Sequence, residues 1–429
     1  MKKIRALLIS VRLKKDRIRQ NSLDELRRLA ETANIKVVEE TNINIQEYSA
    51  ATLIGSGKID ELKKFAENAN ADMVIFDDDI SPTQERNLEK KLELRIIDRT
   101  YLILEIFSSR AQTYEGKLQV ELAKLSYKLT RLSGKGRQFE QQRGLIGARG
   151  PGERKLEFEK RVIRKKTNQL KKELEGIKKG RSIRREGRSA LPMPQISIVG
   201  YTNAGKSTLL DALITSNYTV YSDDKLFATL DTLTKRVKLP SGGYALFTDT
   251  VGFIQKLPHS LIAAFRATME EIAQSDLIIH VHDLSSPFMD KQHIEVEKTL
   301  DELRAQNIPR INVYNKIDTV NNLENHKTQL TGFVPVFISA FKKTGLKGLL
   351  KKTEEELKGK WKNREIELPI EAAGFMKEIY LSCVAVKTVF KVKKIKLSFK
   401  ATDENYKRIK LNLRKFKKAV IRSLKLLYN

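Results

Sequence analysis

The chain has 429 residues, of which 40% are hydrophobic and 31% are charged. This length is too great for one ordinary core and predicts two to four domains, and the apolar content is enough for globular folding. The 81 Lys and Arg against 53 Asp and Glu give a net charge of +28, which favours a polyanionic partner or a membrane surface; a lysine-rich genome is the alternative explanation.

Residues 1–118 alternate strand-like and helix-like stretches, which predicts a small α/β domain. The strand candidates are Ile4–Val11, Ile35–Glu39 and Met73–Phe76. The helix candidates are Ser22–Asn34, Lys58–Asn70 and Pro82–Leu92, the first with a capping box at Ser22 and Glu25.

Residues 119–190 have helical periodicity and many charges, which predicts a long helical hairpin. Its two helices are expected at Gln119–Leu132 and Glu153–Lys179, and Arg181–Arg188 is expected to be poorly structured. Between the helices, residues 133–152 hold six glycines and several basic residues. We interpret this segment as a flexible basic loop suited to contact folded RNA; a solvated disordered loop is the alternative.

Residues 193–357 again alternate strands and helices, and residues 365–429 form a small basic tail with the pattern of an α+β domain. The strands are expected at Gln195–Val199, Thr234–Leu239, Tyr244–Thr248, Leu277–His282, Arg310–Tyr314 and Val334–Ile338, with a hairpin turn at Pro240–Gly243. Residues 381–429 carry fifteen Lys or Arg against two acidic residues. The tail is therefore expected to add non-specific attraction to phosphate.

The single cysteine, Cys383, excludes an internal disulfide framework and fits a reducing compartment. Every apolar run is shorter than the roughly 18 residues of a membrane span, and the apolar stretch at the start is too short for a signal peptide. We therefore expect a cytoplasmic protein. The five histidines and the cysteine show no metal-ligand spacing.

Gly200–Ser207 has the P-loop pattern, Gly-x-x-x-x-Gly-Lys-Ser, after an apolar strand and before a helix. The glycines let backbone N–H groups turn towards phosphate oxygens, Lys206 should reach the β- and γ-phosphates, and Ser207 should ligate Mg²⁺. Asn203 could help to hold a monovalent cation or could simply shape the loop. Gly55–Lys58 resembles this motif superficially, but it lacks the six-residue loop and is interpreted as a structural turn.

Asp249–Gly252 follows a further strand and has the Asp-x-x-Gly pattern of a nucleotide-dependent switch. Asp249 is expected to hold Mg²⁺ through water, and the N–H of Gly252 can sense the γ-phosphate. Phe253 occupies the place where Ras-like enzymes carry a water-positioning Gln, so hydrolysis by the chain alone should be slow.

Asn315–Asp318 has the Asn-Lys-x-Asp pattern, in which two carboxylate oxygens of Asp318 can accept from the ring N–H and exocyclic amine of guanine. Ser339 and Ala340 follow the last strand, where the N–H of Ala340 can meet guanine O6. These motifs in this order, each at a strand end, predict a GTP-binding site. The first switch must supply a Thr for Mg²⁺, and its spacing leaves Thr229, Thr232 and Thr234 open.

In these motifs and in several further stretches, the chain resembles the HflX family of ribosome-associated translational GTPases, of the Obg–HflX-like class. Within the nucleotide-binding region the matching stretches are Gly200–Thr208, Phe227–Asp231, Thr248–Pro258 and Ala264–Glu271. Outside it they are Ile54–Lys58, Phe76–Pro82, Asp98–Leu104, Gly116–Ala123 and Ile146–Glu153. The resemblance covers residues 1 to about 345, and Arg154 and Lys155 depart from the usual family pattern.

The resemblance implies a P-loop Ras-like G domain preceded by a small α/β domain and a helical hairpin. It makes Thr229 the Mg²⁺ ligand of the first switch, and it implies hydrolysis stimulated by the large (50S) ribosomal subunit, with ribosome splitting in some members. The motifs and the resemblance together predict that GTP is bound by Gly200, Tyr201, Thr202, Asn203, Ala204, Gly205, Lys206, Ser207, Phe227, Ala228, Thr229, Leu230, Asp231, Asp249, Thr250, Val251, Gly252, Asn315, Lys316, Ile317, Asp318, Ser339, Ala340 and Phe341.

Three functions compete at this point. The first is a monomeric, ribosome-directed GTPase that acts in protein synthesis, in ribosome recycling or splitting, or in ribosome biogenesis. The second is a GTP-gated RNA-binding scaffold with negligible turnover, which Phe253 favours. The third is a GTPase that uses its basic tail on anionic lipid as a peripheral membrane protein; the lack of an amphipathic helix with bulky aromatics counts against it.

Overall fold

The computed structural model describes residues 4–14, 22–141, 151–188, 193–214, 233–255, 272–320, 335–358, 361–403 and 405–414. These residues belong to two compact units, of which the first includes residues 22–141 and the second includes residues 272–320 and 361–403. The α/β fold class predicted from the sequence is confirmed. The domain boundaries predicted from the sequence stay predictions.

The first unit begins with a four-stranded parallel sheet in the order β2-β1-β3-β4. Its strands are β1 (Arg5–Leu13), β2 (Lys36–Ile45), β3 (Met73–Phe76) and β4 (Arg95–Asp98). Its helices are α1 (Ser22–Thr32), α2 (Ser56–Asn68), α3 (Pro82–Leu92) and α4 (Arg99–Arg110). All four residues of β3 are buried, as expected for a parallel strand that is covered on both faces.

Most of these elements were predicted within a few residues, but β4 and α4 were not. The segment at Gly55–Lys58 is not an isolated turn, because Gly55 is the N-cap of α2 and the helix begins at Ser56. A complete capping box joins Ser81 and Gln84 at the start of α3. The side chain of Ser22, where a capping box with Glu25 is predicted, lies outside the described residues.

Two of the family-like segments, Phe76–Pro82 and Asp98–Leu104, meet where β3 and β4 end. The guanidinium of Arg99 is fully buried, and its Nη1 donates to Oδ1 of Asp77 at 2.8 Å. The hydroxyl of Thr100 donates to Oδ1 of Asp79 at 2.7 Å. This ion pair and this hydrogen bond explain why polar residues occur at the ends of two buried strands, because a buried charge is tolerated only when it is paired or hydrogen-bonded.

The predicted hairpin consists of α5 (Tyr114–Gln141) and α6 (Pro151–Arg188), which are longer than the sequence suggested. The predicted loop at 133–152 is therefore helical over 133–141 and 151–152, and its centre lies outside the described residues. The stretch Arg181–Arg188, expected to be poorly structured, also continues as helix. Leu132, Leu156 and Ile163 form a buried cluster between the two helices. A glycine inside a helix lowers helix stability by about 1 kcal/mol relative to alanine, and this packing together with the many helix-favouring Lys, Arg and Glu residues offsets that loss.

The second unit contains a six-stranded sheet in the order β10-β9-β8-β5-β7-β6, parallel except for the β6–β7 hairpin. Its strands are β5 (Gln195–Gly200), β6 (Leu233–Lys238), β7 (Tyr244–Asp249), β8 (Leu277–Asp283), β9 (Arg310–Asn315) and β10 (Val336–Phe337). Its helices include α7 (Lys206–Leu213), α8 (Met289–Glu302) and α9 (Leu346–Lys358). Ligands of such sheets bind beyond the carboxyl ends of the parallel strands, and β5, β7 and β9 bring the predicted motifs to that edge.

The tail forms a three-stranded antiparallel sheet in the order β11-β13-β12, and a short helix connects β11 to β12 along the chain. The elements are β11 (Lys362–Pro369), α10 (Met376–Ser382), β12 (Val384–Lys391) and β13 (Lys394–Ala401), followed by a helical stretch over 405–414. Val384 joins the core cluster of the six-stranded sheet, so the tail packs on that sheet. No helix among the described residues is long and apolar enough to cross a membrane.

Candidate nucleotide-binding site

The P-loop connects the end of β5 to the start of α7, and two of its glycines are required by close contacts. A Cβ on Gly200 would lie 2.3 Å from the carbonyl oxygen of Val281, and a Cβ on Gly205 would lie 2.3 Å from Nδ2 of Asn315. Gly205 has a φ of +91°, which glycine adopts at little cost. Asn203 also lies in the left-handed region, with a φ of 62°, which supports the loop-shaping role over the cation-binding role.

Lys206 is the first residue of α7, and its ammonium group is buried against the loop. Its Nζ donates to the carbonyl oxygens of Gly200 at 3.1 Å and Tyr201 at 2.9 Å. Burial lowers the pKa of Lys206 to about 8, and the charge of Asp249 opposes this shift. The lysine is thus placed beside the backbone cradle, where an anion would restore the stability of its charged form.

Ser207 and Asp249 lie next to each other although they are far apart in sequence. The hydroxyl of Ser207 donates to Oδ2 of Asp249 at 2.6 Å, and Asp249 is completely buried. The neighbouring Thr250 holds β7 in place, because its hydroxyl donates to the carbonyl oxygen of Ile198 at 2.8 Å. One hydroxyl and one carboxylate at this distance fit Mg²⁺, a hard cation that is bound by one or two protein oxygens together with water and phosphate.

Gly252 lies directly over the P-loop. A Cβ at this position would come within 2.8 Å of Cγ2 of Thr202 and 3.0 Å of Nζ of Lys206. The absence of a side chain therefore lets the loop after β7 approach the ammonium group of Lys206. A movement of the P-loop would therefore displace the loop after β7, and the reverse is also true.

Phe253 is buried, and its backbone pairs with the P-loop. It is only 2% exposed, its N–H donates to the carbonyl oxygen of Gly200 at 3.2 Å, and its own carbonyl accepts from the N–H of Thr202 at 2.8 Å. The backbone on both sides of Phe253 is therefore hydrogen-bonded to the P-loop, and the side chain is buried. The residue in the place of the usual water-positioning Gln thus carries no hydrogen-bonding group on its side chain and is buried.

Asn315 joins three of the predicted motifs. Its Nδ2 donates to the carbonyl oxygen of Ala204 at 2.9 Å, and its Oδ1 accepts from the N–H of Ala340 at 2.9 Å. The sequence predicts that the N–H of Ala340 points at guanine O6, but in this structure that N–H donates to Asn315. Sequence reasoning missed this connecting role, since spacing along the chain carries no information about which side chain bridges two loops.

The remaining guanine-motif residues lie at the ends of β9 and β10. Asp318 is exposed, whereas Nζ of Lys316 pairs with Oδ2 of Asp283 at 2.8 Å. Ser339 is buried and its hydroxyl accepts from the N–H of Lys342 at 2.9 Å. Phe341 is 80% exposed, so its ring is free to cover a base.

The first switch, including Phe227–Asp231 with Thr229, and also Thr232, lies outside the described residues. Thr234 is described, and it lies in β6 with its hydroxyl 2.9 Å from that of Thr248 on β7. This position in the sheet leaves Thr229 and Thr232 as the better candidates for the Mg²⁺ ligand.

The same domain brings together three histidines, His280 and His282 on β8 and His293 on α8. One ring nitrogen from each lies within 4.8 Å of the other two. The expectation that the histidines show no metal-ligand spacing is therefore wrong in three dimensions, because the crossing from β8 to α8 returns the chain to the same point. Burial lowers the pKa of His280 and lowers that of His282 well below its usual range, so both rings are neutral near pH 7.

Three consecutive stretches of the chain match the profiles of known protein families. Residues 20–108 match the profile described as GTP-binding GTPase N-terminal, residues 110–188 match GTP-binding GTPase Middle Region, and residues 195–316 match 50S ribosome-binding GTPase. These three matches run in the order of the predicted domains.

Similar curated proteins bear the name GTPase HflX. The protein of Caldanaerobacter subterraneus subsp. tengcongensis is 46% identical over 338 residues, which are 79% of this chain and 77% of that protein. The protein of Escherichia coli K12 is 37% identical over 377 residues, 87% of this chain and 88% of that protein. Among solved structures, a GTP-binding protein from the archaeon Sulfolobus solfataricus in complex with GDP is 25% identical, with a TM-score of 0.42, over 83% of this chain and 99% of that one.

Proposed function

Because this chain belongs to the HflX family of GTPases and therefore hydrolyses GTP to GDP and phosphate, we propose that it binds the large (50S) ribosomal subunit in its GTP form. It then acts in protein synthesis, in ribosome recycling or splitting, or in ribosome biogenesis. The family profile described as 50S ribosome-binding GTPase supports the partner. The net charge of +28 supports an RNA surface as the contact.

In this proposal the residues of Gly200–Ser207 hold the phosphates. Backbone N–H groups at the start of α7 face the anion, and the buried Lys206 neutralises it. Gly252, which lies against Lys206, reports whether a third phosphate is present. Thr250 and Val251 hold the backbone that leads to it.

Ser207 and Thr229 would hold Mg²⁺ directly, and Asp249 would hold it through water. The 2.6 Å contact between the Ser207 hydroxyl and the Asp249 carboxylate supports this pair. When bound, the ion neutralises charge on the phosphate oxygens. Thr229 belongs to the segment Phe227–Asp231, whose residues are also predicted to contact the nucleotide.

The guanine base is recognised by Asn315–Asp318 and Ser339–Phe341. Asp318, exposed at the end of β9, accepts from two donors that guanine has and adenine lacks. Asn315 fixes the Ala204 and Ala340 loops around the base rather than reading it. Phe341 covers the base with its exposed ring.

The burial of Phe253 is the observation that carries the mechanism. A side chain that is 2% exposed and flanked by backbone hydrogen bonds to the P-loop cannot orient the attacking water. Hydrolysis by the chain alone is therefore slow, and the ribosome supplies or orders the missing group. In other GTPases, a catalytic group supplied by a partner raises kcat by a factor of about 10³–10⁵. Hydrolysis then releases the GTP-form contacts, and the protein works as a monomer in the cytoplasm.

The test is multiple-turnover phosphate release from GTP with and without purified large ribosomal subunits. Lys206→Ala serves as the blank, because it removes the phosphate-binding charge. We expect stimulation of at least about tenfold that declines steeply with added salt, as phosphate contacts require.

A GTP-gated RNA-binding scaffold is the second candidate, and Phe253 favours it as well. Co-sedimentation with the large subunit that depends on GTP, without any stimulated turnover, would support the scaffold and contradict the proposal. Flotation with anionic vesicles, but no ribosome binding, would point to a membrane surface instead.

A further inference from the structure

The three histidines of β8 and α8 form a compact cluster near the carboxyl end of β8. The ring centroids of His280 and His282 are 4.0 Å apart, and each lies 5.2 Å from that of His293. His280 and His282 are two positions apart on one strand, so their side chains share a face of the sheet. His293, in the second turn of α8, closes the cluster from the other side.

Two ring nitrogens in this cluster are buried and lack hydrogen bonds. Nδ1 of His293 has no hydrogen-bond partner among the described residues, and Nδ1 of His280, in a side chain only 1% exposed, has nothing closer than a long 3.4 Å contact with Glu297. Buried polar atoms are usually satisfied, and each exception calls for a physical explanation. Nε2 of His282 has only a long contact, 3.4 Å from Oδ1 of Asn312.

A carboxylate lies at the edge of the same cluster. Oε1 of Glu297 is 3.4 Å from Nδ1 of His280, a long polar contact to a neutral ring, while its other oxygen pairs with Arg310. A carboxylate beside a histidine nitrogen is the usual means of orienting a metal-binding imidazole and fixing its tautomer. Glu297 follows His293 by one helical turn on α8, so both act from the same helix.

The geometry points to a binding site for a divalent transition-metal ion of the zinc class, formed by His280, His282 and His293 and oriented by Glu297. Three imidazole ligands favour zinc, cobalt, nickel or copper over Mg²⁺, which prefers oxygen. Convergence of the nitrogens to the roughly 2.0–2.1 Å of a Zn–N bond requires the rings to turn. His293 is only half-buried, which gives its ring the freedom to do so.

This site is separate from the Mg²⁺ site but is connected to the guanine motif. The ring of Tyr314, the residue before Asn315, stacks on His282 with centroids 4.9 Å apart. Asp283, the residue after His282, pairs with Lys316. A bound ion would therefore tie β8 to α8 near the carboxyl end of β8, next to the strand that presents the guanine-binding residues.

The test is a titration of the full-length protein, without a polyhistidine tag, with Co²⁺ as the probe. The protein is first treated with a chelator and is then held with GDP and excess Mg²⁺, so that the nucleotide site cannot take up the probe. We expect one Co²⁺ per chain with the visible absorption of a tetrahedral nitrogen-rich site. Zn²⁺ should displace it, because nitrogen sites bind zinc more tightly than cobalt.

The variants separate the cluster from other sites. His293→Ala, at a half-buried position, and His282→Val, which keeps a strand-favouring side chain, should each weaken Co²⁺ binding by at least about tenfold. His326→Ala is the matched control and should leave the titration unchanged. A thermal melt of each variant confirms that it is folded.

Failure of the intact protein to bind Co²⁺ would overturn the proposal, and so would equal binding by the folded His293→Ala and His282→Val variants. A loss in His326→Ala as large as that in His293→Ala would also overturn it, because the probe would then report histidines in general. None of these outcomes depends on ribosome binding, so the proposed function stands or falls separately.

Discussion

Nδ2 of Asn315 donates to the carbonyl oxygen of Ala204 at 2.9 Å, across 111 positions of sequence. Through this bond the end of β9 fixes the middle of the P-loop. The same side chain accepts from the N–H of Ala340, so one amide connects the loops that follow β5, β9 and β10. A nucleotide site assembled from separate loops needs such a connection, because each loop alone has many conformations.

Asn315→Ala is therefore expected to weaken GDP and GTP binding together. The change removes two buried hydrogen bonds, each worth about 0.5–1.5 kcal/mol, and leaves the Ala340 N–H without its acceptor. We expect at least about a tenfold loss of affinity, or 1.4 kcal/mol, measured with a fluorescent nucleotide, and a lower Tm. The comparison is Asp318→Ala, whose exposed carboxylate should affect affinity but hardly affect Tm. An unchanged Tm in Asn315→Ala would contradict the connecting role.

Gly252→Ala should abolish GTP hydrolysis while GDP binding is better preserved. The added Cβ would lie 2.8 Å from Cγ2 of Thr202 and 3.0 Å from Nζ of Lys206, so the loop after β7 must move away from the P-loop and Lys206. Phosphate release and the two nucleotide affinities measure this. Gly348→Ala is the control, because its Cβ meets no described atom within 4 Å and it lies in a helix, where Ala is favoured by about 0.5–1 kcal/mol. Normal hydrolysis by Gly252→Ala would refute the close approach.

Phe253→Gln should not restore hydrolysis in the absence of ribosomes. The side chain at this position is buried, so a Gln amide would enter the core and not the phosphate site. Burial of an amide without a partner costs about 1–3 kcal/mol, and the urea midpoint should fall accordingly. Phosphate release from the purified variant is the deciding measurement. A tenfold faster intrinsic rate would mean that the segment after Gly252 reorients and that Phe253 is not held as described.

Gly243→Ala should destabilise the protein much more than Gly242→Ala. Both glycines have left-handed backbones, with φ of +78° and +84°, so the backbone strain of about 1–2 kcal/mol is common to both changes. Only the Cβ on Gly243 would collide, at 2.4 Å from the carbonyl oxygen of Cys383, where the tail packs on the β6–β7 hairpin. Urea denaturation of the pair isolates this contact. Equal losses of stability would show that the tail does not rest on the hairpin turn.

Much of the fold could be read from residue patterns, because local chemistry dictates it. The buried run Met73–Phe76 and the helix Pro82–Leu92 have the bounds predicted from composition and periodicity. Most of the buried residues of the unpredicted α4 are apolar, and the helix begins at Arg99, directly after β4 ends at Asp98. Such a segment has no clear period of its own, and tertiary burial decides its conformation. The helical hairpin was underestimated for a similar reason, since packing around Leu132 carries the helix through Gly134 and Gly136.

The sequence by itself determined the chemistry of the nucleotide site. The order of the P-loop, Asp-x-x-Gly and Asn-Lys-x-Asp motifs, each after a strand, was sufficient because each motif is a local turn whose backbone and side chains act within a few residues. The tertiary structure alone decided which side chains meet across long separations. It buried Phe253, placed the amide of Asn315 between Ala204 and Ala340, and returned His293 to the strand of His280. Those contacts arise from strand order and helix crossings, whose energies depend on packing between distant segments, and a one-dimensional spacing does not record them.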